Sequence, residues 1–427
     1  MQVFSDSPEY VERTKKPFVP PELDYVALRK ALPEDIWRRS TTKSLIVFGR
    51  LIVISSLLHW FGLWLVRGAV LPAGFPYATH PFTPTAVKIA GWAFYLWWQP
   101  IAWAGFWALG HDADHGNVSQ IYWVNHLIGF LCHSWVFLPY FSWRITHLRH
   151  HKHNGSLEMD EAFVPYTRSD LRLPPKQECT KEIYKEAIED SPLFSLWRLF
   201  VMQFFGHQTY LIWNTMGSKR FPEGSNHYTP INPLFEPHQK WDVIMSDVGI
   251  GGMFVFLAVC IQMSSFSMVW KLFILPWFIT NHWIVTMAIL QHTDPTVPHY
   301  REGLWTKARG ALVTIDRTNS SAQPFLGWIG EWFLIGINHN HVAHHLFAQI
   351  PFHNLWKASE ILRPMLGPAY TYDSTNVFRA LWRSFTECVF VEDEGDIVFY
   401  KNMQAESLRE ARFTEESEVS SDSDSSS

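Results

Sequence analysis

The chain has 427 residues, enough for a large core. Its 22 Trp, 32 Phe and 14 Tyr mark a protein that meets an apolar–wet boundary. A net charge of −5 offers no basic face for nucleic acid. The four cysteines, Cys132, Cys179, Cys260 and Cys388, form no CxxC pair, which excludes a cysteine zinc site or disulfide framework and suits a reducing compartment.

In chain order, residues 1–43 read as a polar cytosolic N-terminal arm with no apolar leader, a short helix starting near Pro33-Glu34-Asp35. Residues 44–400 read as one membrane domain. Apolar runs at 51–71 and 87–109 approach the ~20 residues needed to cross hydrocarbon. The connector between them holds no Lys or Arg before Lys88, whereas the arm is basic, so the N-terminus is expected in the cytosol. Runs at 248–268 and 272–291 give a second pair, separated near Lys271. Four spans return the chain to the cytosol. The segment 121–140 is apolar but contains Asn125, His126 and His133, and reads as an interfacial or re-entrant element on the same side. Charged, Pro-punctuated stretches at 156–245 and 299–400 are expected to form a cytosolic cap. Residues 401–427 are Glu-, Asp- and Ser-rich and are expected to be disordered. The fold class is an all-α integral membrane protein: four transmembrane helices, an interfacial helix and a helical cap.

Eight of the 21 histidines fall in three clusters: His111 and His115; His147, His150 and His151; His341, His344 and His345. Residues at i, i+3 and i+4 share a helix face, so each cluster can address one point. Imidazole suits Zn, Cu, Fe and Ni. One zinc takes about four ligands, whereas eight or nine nitrogens suit two metals, and two irons can activate dioxygen. Lone boundary histidines such as His59 and His282 read as interfacial polar groups, and His153 as a neighbour of the site. A membrane zinc hydrolase or receptor would leave half of the clustered histidines idle. A metal sensor or transporter would call for polar groups at mid-membrane, along the path; here the clusters sit at one face and the first two runs lack midplane acids.

The boxes, with Trp143-Arg144, Gly155-Ser156-Leu157-Glu158, Leu290-Gln291-His292-Thr293, Ile315-Asp316-Arg317 and the run after His341, resemble those of the membrane fatty acid desaturases. The likeness covers roughly residues 20–400 and is nearest to the fungal and plant Δ12 (oleate) type. It implies His292 as a ninth ligand and an acyl chain on phospholipid or CoA bound in a tunnel. It also implies electrons from a separate cytochrome b5 and its reductase, and a multi-pass location in the endoplasmic reticulum membrane with both termini cytosolic. The expected reaction is O2-dependent desaturation of oleoyl to linoleoyl chains. Box one departs from the Δ12 pattern by carrying Asp112, Ala113 and Asp114 between its histidines. Asn154, Val313, Ala348 and Ile350 also look more like the hydroxylating or otherwise diverged members, so hydroxylase, acetylenase or conjugase chemistry stays open.

Overall fold

The structure, a computed structural model, describes residues 5–69, 80–188, 191–317 and 324–412. The start of the arm, most of the 72–86 connector and the acidic Ser-rich tail from 413 lie outside the described residues.

The arm carries α1 (Pro8–Thr14) and α2 (Tyr25–Ala31), and Glu34–Trp37 forms a 3-10 turn where the sequence predicts a helix start. Helix α3 (Thr41–Val66) begins ten residues earlier than expected because the Ser40 side chain caps it, accepting from the Lys43 N–H. It does not run on to residue 71. The backbone turns at Gly68, whose φ of +104° is glycine territory, and Ala69 follows at +51°. Helix α4 (Thr83–Asp114) spans 32 residues, about 48 Å at 1.5 Å per residue. From Gln99 to Asp114 every residue is buried, so its histidine end lies inside the protein.

Helices α5 (Tyr122–Trp135) and α6 (Tyr140–His153) form a hairpin against α4. Each is about 21 Å long, too short to cross ~30 Å of hydrocarbon. Helix α5 runs back along α4 until Trp135 meets Trp103 (centroids 5.5 Å apart), and α6 returns to the level of His111. Small residues permit this fit: a Cβ on Gly110 would lie 2.2 Å from the His133 ring, and one on Gly129 2.2 Å from the Tyr140 ring.

After α7 (Lys181–Ile188) comes α8 (Pro192–Trp213), a 22-residue apolar helix inside the stretch expected to be a charged cap. Its own Arg198, Gln203, His207 and Gln208 lower its average hydropathy. Leu193, Trp197 and Trp213 face outward. The opposite face lies on α11, with Thr286 donating to Gln203 at 2.7 Å and Gln208 to Asn281 at 3.2 Å.

Helix α9 (Lys240–Met263) is followed by α10 (Phe266–Val269), a π-helical turn (Trp270–Ile274) and α11 (Leu275–His292). The break falls at Ser264-Ser265 and not at Lys271. Ser264 is non-helical and the Ser265 side chain caps the next turn, while Lys271 sits inside the π turn. Among the described residues, three helices suffice by length and composition to cross a membrane: Thr41–Val66, Pro237–Met263 and Phe266–His292. Helix α4 is longer, but its Trp, Tyr and Gln residues lower its hydropathy.

The remaining elements cover the histidine end. Helices α12 (Lys307–Ala311), α14 (His341–Leu346) and α15 (Phe352–Leu366) pack with α2 around Leu28, Ile36, Phe347 and Leu355. Helix α13 (Pro324–Trp332) packs on the 3-10 turn Ile337–His339, and α16 (Val377–Glu387) packs on α11. Strand β1 (Pro298–Tyr300) pairs antiparallel with β4 (Ile397–Phe399), and β2 (Asp316–Arg317) pairs parallel with β3 (Tyr372–Asp373). Residues 401–412, expected to open the disordered tail, lie along the arm. Phe18 N–H donates to the Glu410 carbonyl, Arg412 N–H donates back to Phe18, and Arg409 reaches the Lys16 and Pro17 carbonyls. The Lys401 and Arg409 side chains donate to backbone oxygens, which acidic side chains could not do.

Candidate metal centre

Four helix ends bring the histidines together. His111 and His115 come from the end of α4, His147, His150 and His151 from the last turns of α6, His292 from the end of α11, and His341, His344 and His345 from α14. Ring nitrogens of His111, His115, His147, His151 and His344 all lie within 4.8 Å of one another, as do those of His150, His292 and His345. His341 stands outside both groups, but its Nε2 is 2.9 Å from His292 Nε2. His115 Nε2 and His147 Nε2 are 3.2 Å apart. Two nitrogens each about 2.1 Å from a metal and at right angles would be about 3 Å apart. His59, His153 and His282 belong to neither group; His153 packs on Trp305, and His282 on Phe204.

These rings fit a metal site. His150 Nε2 and both nitrogens of His151, His344 and His345 are buried without a hydrogen-bond partner among the described residues. So many orphaned polar atoms would be costly unless a cation takes up their lone pairs. Burial, then neighbouring rings, hold the His151, His344 and His345 imidazoles well below the usual histidine range, so they are neutral at pH 7, the form that can ligate a metal. An all-nitrogen donor set suits iron, zinc or copper over calcium or magnesium.

The supporting groups were not readable from spacing. Asp160 accepts from His150 Nδ1 at 2.6 Å and from Gly155 N–H at 2.8 Å, fixing the ring so that Nε2 points at the group. Trp143 stacks on His147 at 4.2 Å, and Phe163 on His292 at 4.4 Å. The Ile315-Asp316-Arg317 motif acts as a clamp. Asp316 accepts from Val342 N–H at 2.9 Å in box three, while Arg317 Nε donates to the Leu290 carbonyl at 2.7 Å, two residues before His292. Asp112 accepts from Asn117 at 3.1 Å, and the same amide reaches the Ala348 carbonyl at 2.8 Å, tying box one to the loop after box three.

A cavity of about 530 Å³ opens on this centre. His111, His147, His150, His292 and His341 line one end, and Trp197, Met202, Ile284 and Val285 continue it between α8 and α11. Its size falls in the range of small-molecule sites, and its wall is mostly apolar. None of Asn154, Val313, Ala348 and Ile350 lines it. Asn154 instead donates to the Gly310 carbonyl at 2.7 Å, and Val313 packs where a Cβ on Gly155 would be.

The family model described as fatty acid desaturase matches residues 88–376. The chain is 35% identical over 386 residues to a Delta(12) fatty acid desaturase of Mortierella isabellina, covering 89% of this chain and 91% of that one. It is 31% identical over 417 residues to an oleate hydroxylase of Claviceps purpurea, covering 90% and 82%. It is 32% identical over 394 residues to a Delta(9) fatty acid conjugase-like enzyme of Dimorphotheca sinuata, covering 92% and 96%.

Proposed function

The chain belongs to the fatty acid desaturase family, and from that premise we propose an O2-dependent Δ12-type acyl desaturase that converts oleoyl to linoleoyl chains. The observation that carries this reading is an apolar cavity whose wall leads to residues of both histidine groups. His111, His115, His147, His151 and His344 would hold one iron, and His150, His292 and His345 the other, with His341 completing the second. Bound iron, with dioxygen and two electrons, would supply the oxidising power to remove hydrogen from an unactivated C–H bond.

The protein's own task is positional. Trp197, Met202, Ile284 and Val285 would hold the chain extended and keep water out, while Trp107 and Trp143 narrow the cavity beside His111 and His147. Two adjacent methylenes must then pass the same point; hydrogen removed from both leaves a double bond. Oxygen returned to the first carbon would leave an alcohol instead. A hydroxylase or conjugase reading draws on relatives of both kinds and on Asn154, Val313, Ala348 and Ile350. Because these four do not line the cavity, they would act by shifting boxes two and three.

Electrons would come from a separate cytochrome b5 and its reductase. The three candidate spans and α4 would anchor the chain in the endoplasmic reticulum membrane with both termini cytosolic. Expression in yeast with fatty acid profiling by mass spectrometry tests the reading. A linoleate peak that disappears in His344→Ala, with two irons per purified wild-type chain, is the expected result. A hydroxylated or conjugated product would move the assignment to the diverged chemistry, and an active chain holding one zinc and no iron would sink it.

A further inference from the structure

Box one differs from the other two boxes in one donor. Boxes two and three read His-x-x-His-His, whereas box one reads His-x-x-Asp-His, with Asp114 in the i+3 place. The i+3 residues of the other boxes, His150 and His344, both sit in the nitrogen groups. Positions i, i+3 and i+4 share a helix face, so Asp114 faces the same way as His111 and His115.

The structure agrees with that placement. Asp114 is fully buried, and its Oδ2 lies 3.9 Å from His147 Nε2, the nitrogen that faces His115 Nε2. Neither carboxylate oxygen has a well-aligned hydrogen bond among the described residues. Arg144 Nε is 3.1 Å from Oδ1, but its N–H is directed at the Asp114 main-chain carbonyl. Asp160 offers the contrast: it meets His150 at Nδ1, on the ring edge away from the centre, and is fully hydrogen-bonded. A buried carboxylate with one misaligned partner is costly, and a cation beside it offsets that cost.

We propose that Asp114 supplies an anionic oxygen donor to the metal held by His111, His115, His147, His151 and His344. It stands at the edge of the five-nitrogen group, so the contact is made directly or through one water. The two metal positions then differ in donor chemistry as well as in the number of imidazoles. The one beside Asp114 has a carboxylate on its donor side, whereas the other has only imidazoles there. Because carboxylate oxygen is a harder donor than imidazole, the first position holds the more oxidised ion more tightly.

This inference rests on the reading of the histidines as an iron centre. The test uses the full-length chain in detergent, loaded with 57Fe and followed by Mössbauer spectroscopy, iron counting and chelator competition. The wild type should give two distinguishable quadrupole doublets. Asp114→Asn should change one doublet and weaken one iron roughly ten-fold or more, leaving the other as it was. Asp114→Glu should keep both irons but shift the same doublet, and Arg144→Gln should leave both doublets in place. Asp114→Asn with wild-type doublets and affinity overturns the inference. So does Arg144→Gln reproducing the change, because the carboxylate would then act only as an ion-pair partner. If Asp114→Asn yields no folded protein, Asp114→Glu decides: an unshifted doublet there overturns it. A wild-type chain that binds no iron would instead defeat the proposed function.

Discussion

A histidine that ligates through one ring nitrogen must have the other one dealt with, and this site does so unevenly. His150 is oriented by the 2.6 Å contact from Nδ1 to Asp160, which is itself pinned by Gly155 and Ala162 N–H groups. Removing the charge of that acceptor should loosen the ring without emptying the pocket around it. Asp160→Asn is expected to lower metal affinity or turnover by about 10–100-fold, read by iron retention after dialysis against chelator. Iron retention equal to the wild type would show that packing alone orients His150. His147 and His292 are held differently, by stacking on Trp143 and Phe163. Aromatic stacking fixes a ring plane but not its tautomer, so these two would depend more on a bound metal.

Among the elements, the α5–α6 hairpin decides whether the boxes meet. It carries box two back to box one only if α5 and α6 approach closely, and Gly129 is where the Tyr140 ring takes the space of a side chain. Tyr140 is fully buried and its ring is rigid, so it has nowhere to withdraw. Gly129→Ala should therefore destabilise the protein by about 1–3 kcal/mol through overpacking and displace box two. A lowered Tm in detergent together with reduced iron content is the expected outcome; an unchanged Tm would mean that the hairpin can spread at no cost. Helix α8 plays the matching part for the cavity. Its polar pairs with α11, Thr286–Gln203 and Gln208–Asn281, set the register of the two walls.

Across the whole molecule, the N-terminal arm is tied to the centre through buried charge. Arg317 and Arg383 both pair with Asp294 and Asp373, and Arg383 also binds Asp6 of the arm at 2.6 Å. The Ser7 hydroxyl donates to Asp373 at 2.9 Å, and Arg317 continues to the Leu290 carbonyl. Burial by itself would raise the Asp373 pKa, but the Arg317 and Arg383 guanidiniums outweigh it and hold the carboxyl well below the usual range. A depressed folded-state pKa contributes stability that is present above the unfolded value of about 3.9 and is lost as pH falls toward the folded one. Tm should accordingly drop on acidification below about pH 4. Asp373→Asn should cost several kcal/mol at neutral pH, about 3–5 by analogy with broken buried pairs, and should flatten that acid limb. A variant with the wild-type acid profile would assign the limb to other carboxylates.

The histidine boxes and the helical character of the four apolar runs followed from the sequence alone. Spacings of three and four on a helix define a face whatever the surroundings, and apolar runs of about twenty residues need no tertiary context. Helix limits did not follow, because caps such as Ser40 and Ser265 act locally against the hydropathy average. Helix α8 was masked by its own Arg198, Gln203, His207 and Gln208, whose partners only the fold supplies. Only the tertiary structure could decide which nitrogens group as five and three, which carboxylates stand behind them, and that the four suspected product-tuning residues stay off the cavity wall. Those relations join residues up to 240 positions apart, as Asp112 and Phe352 show, and one chain read in order carries no signal for distances that packing alone creates.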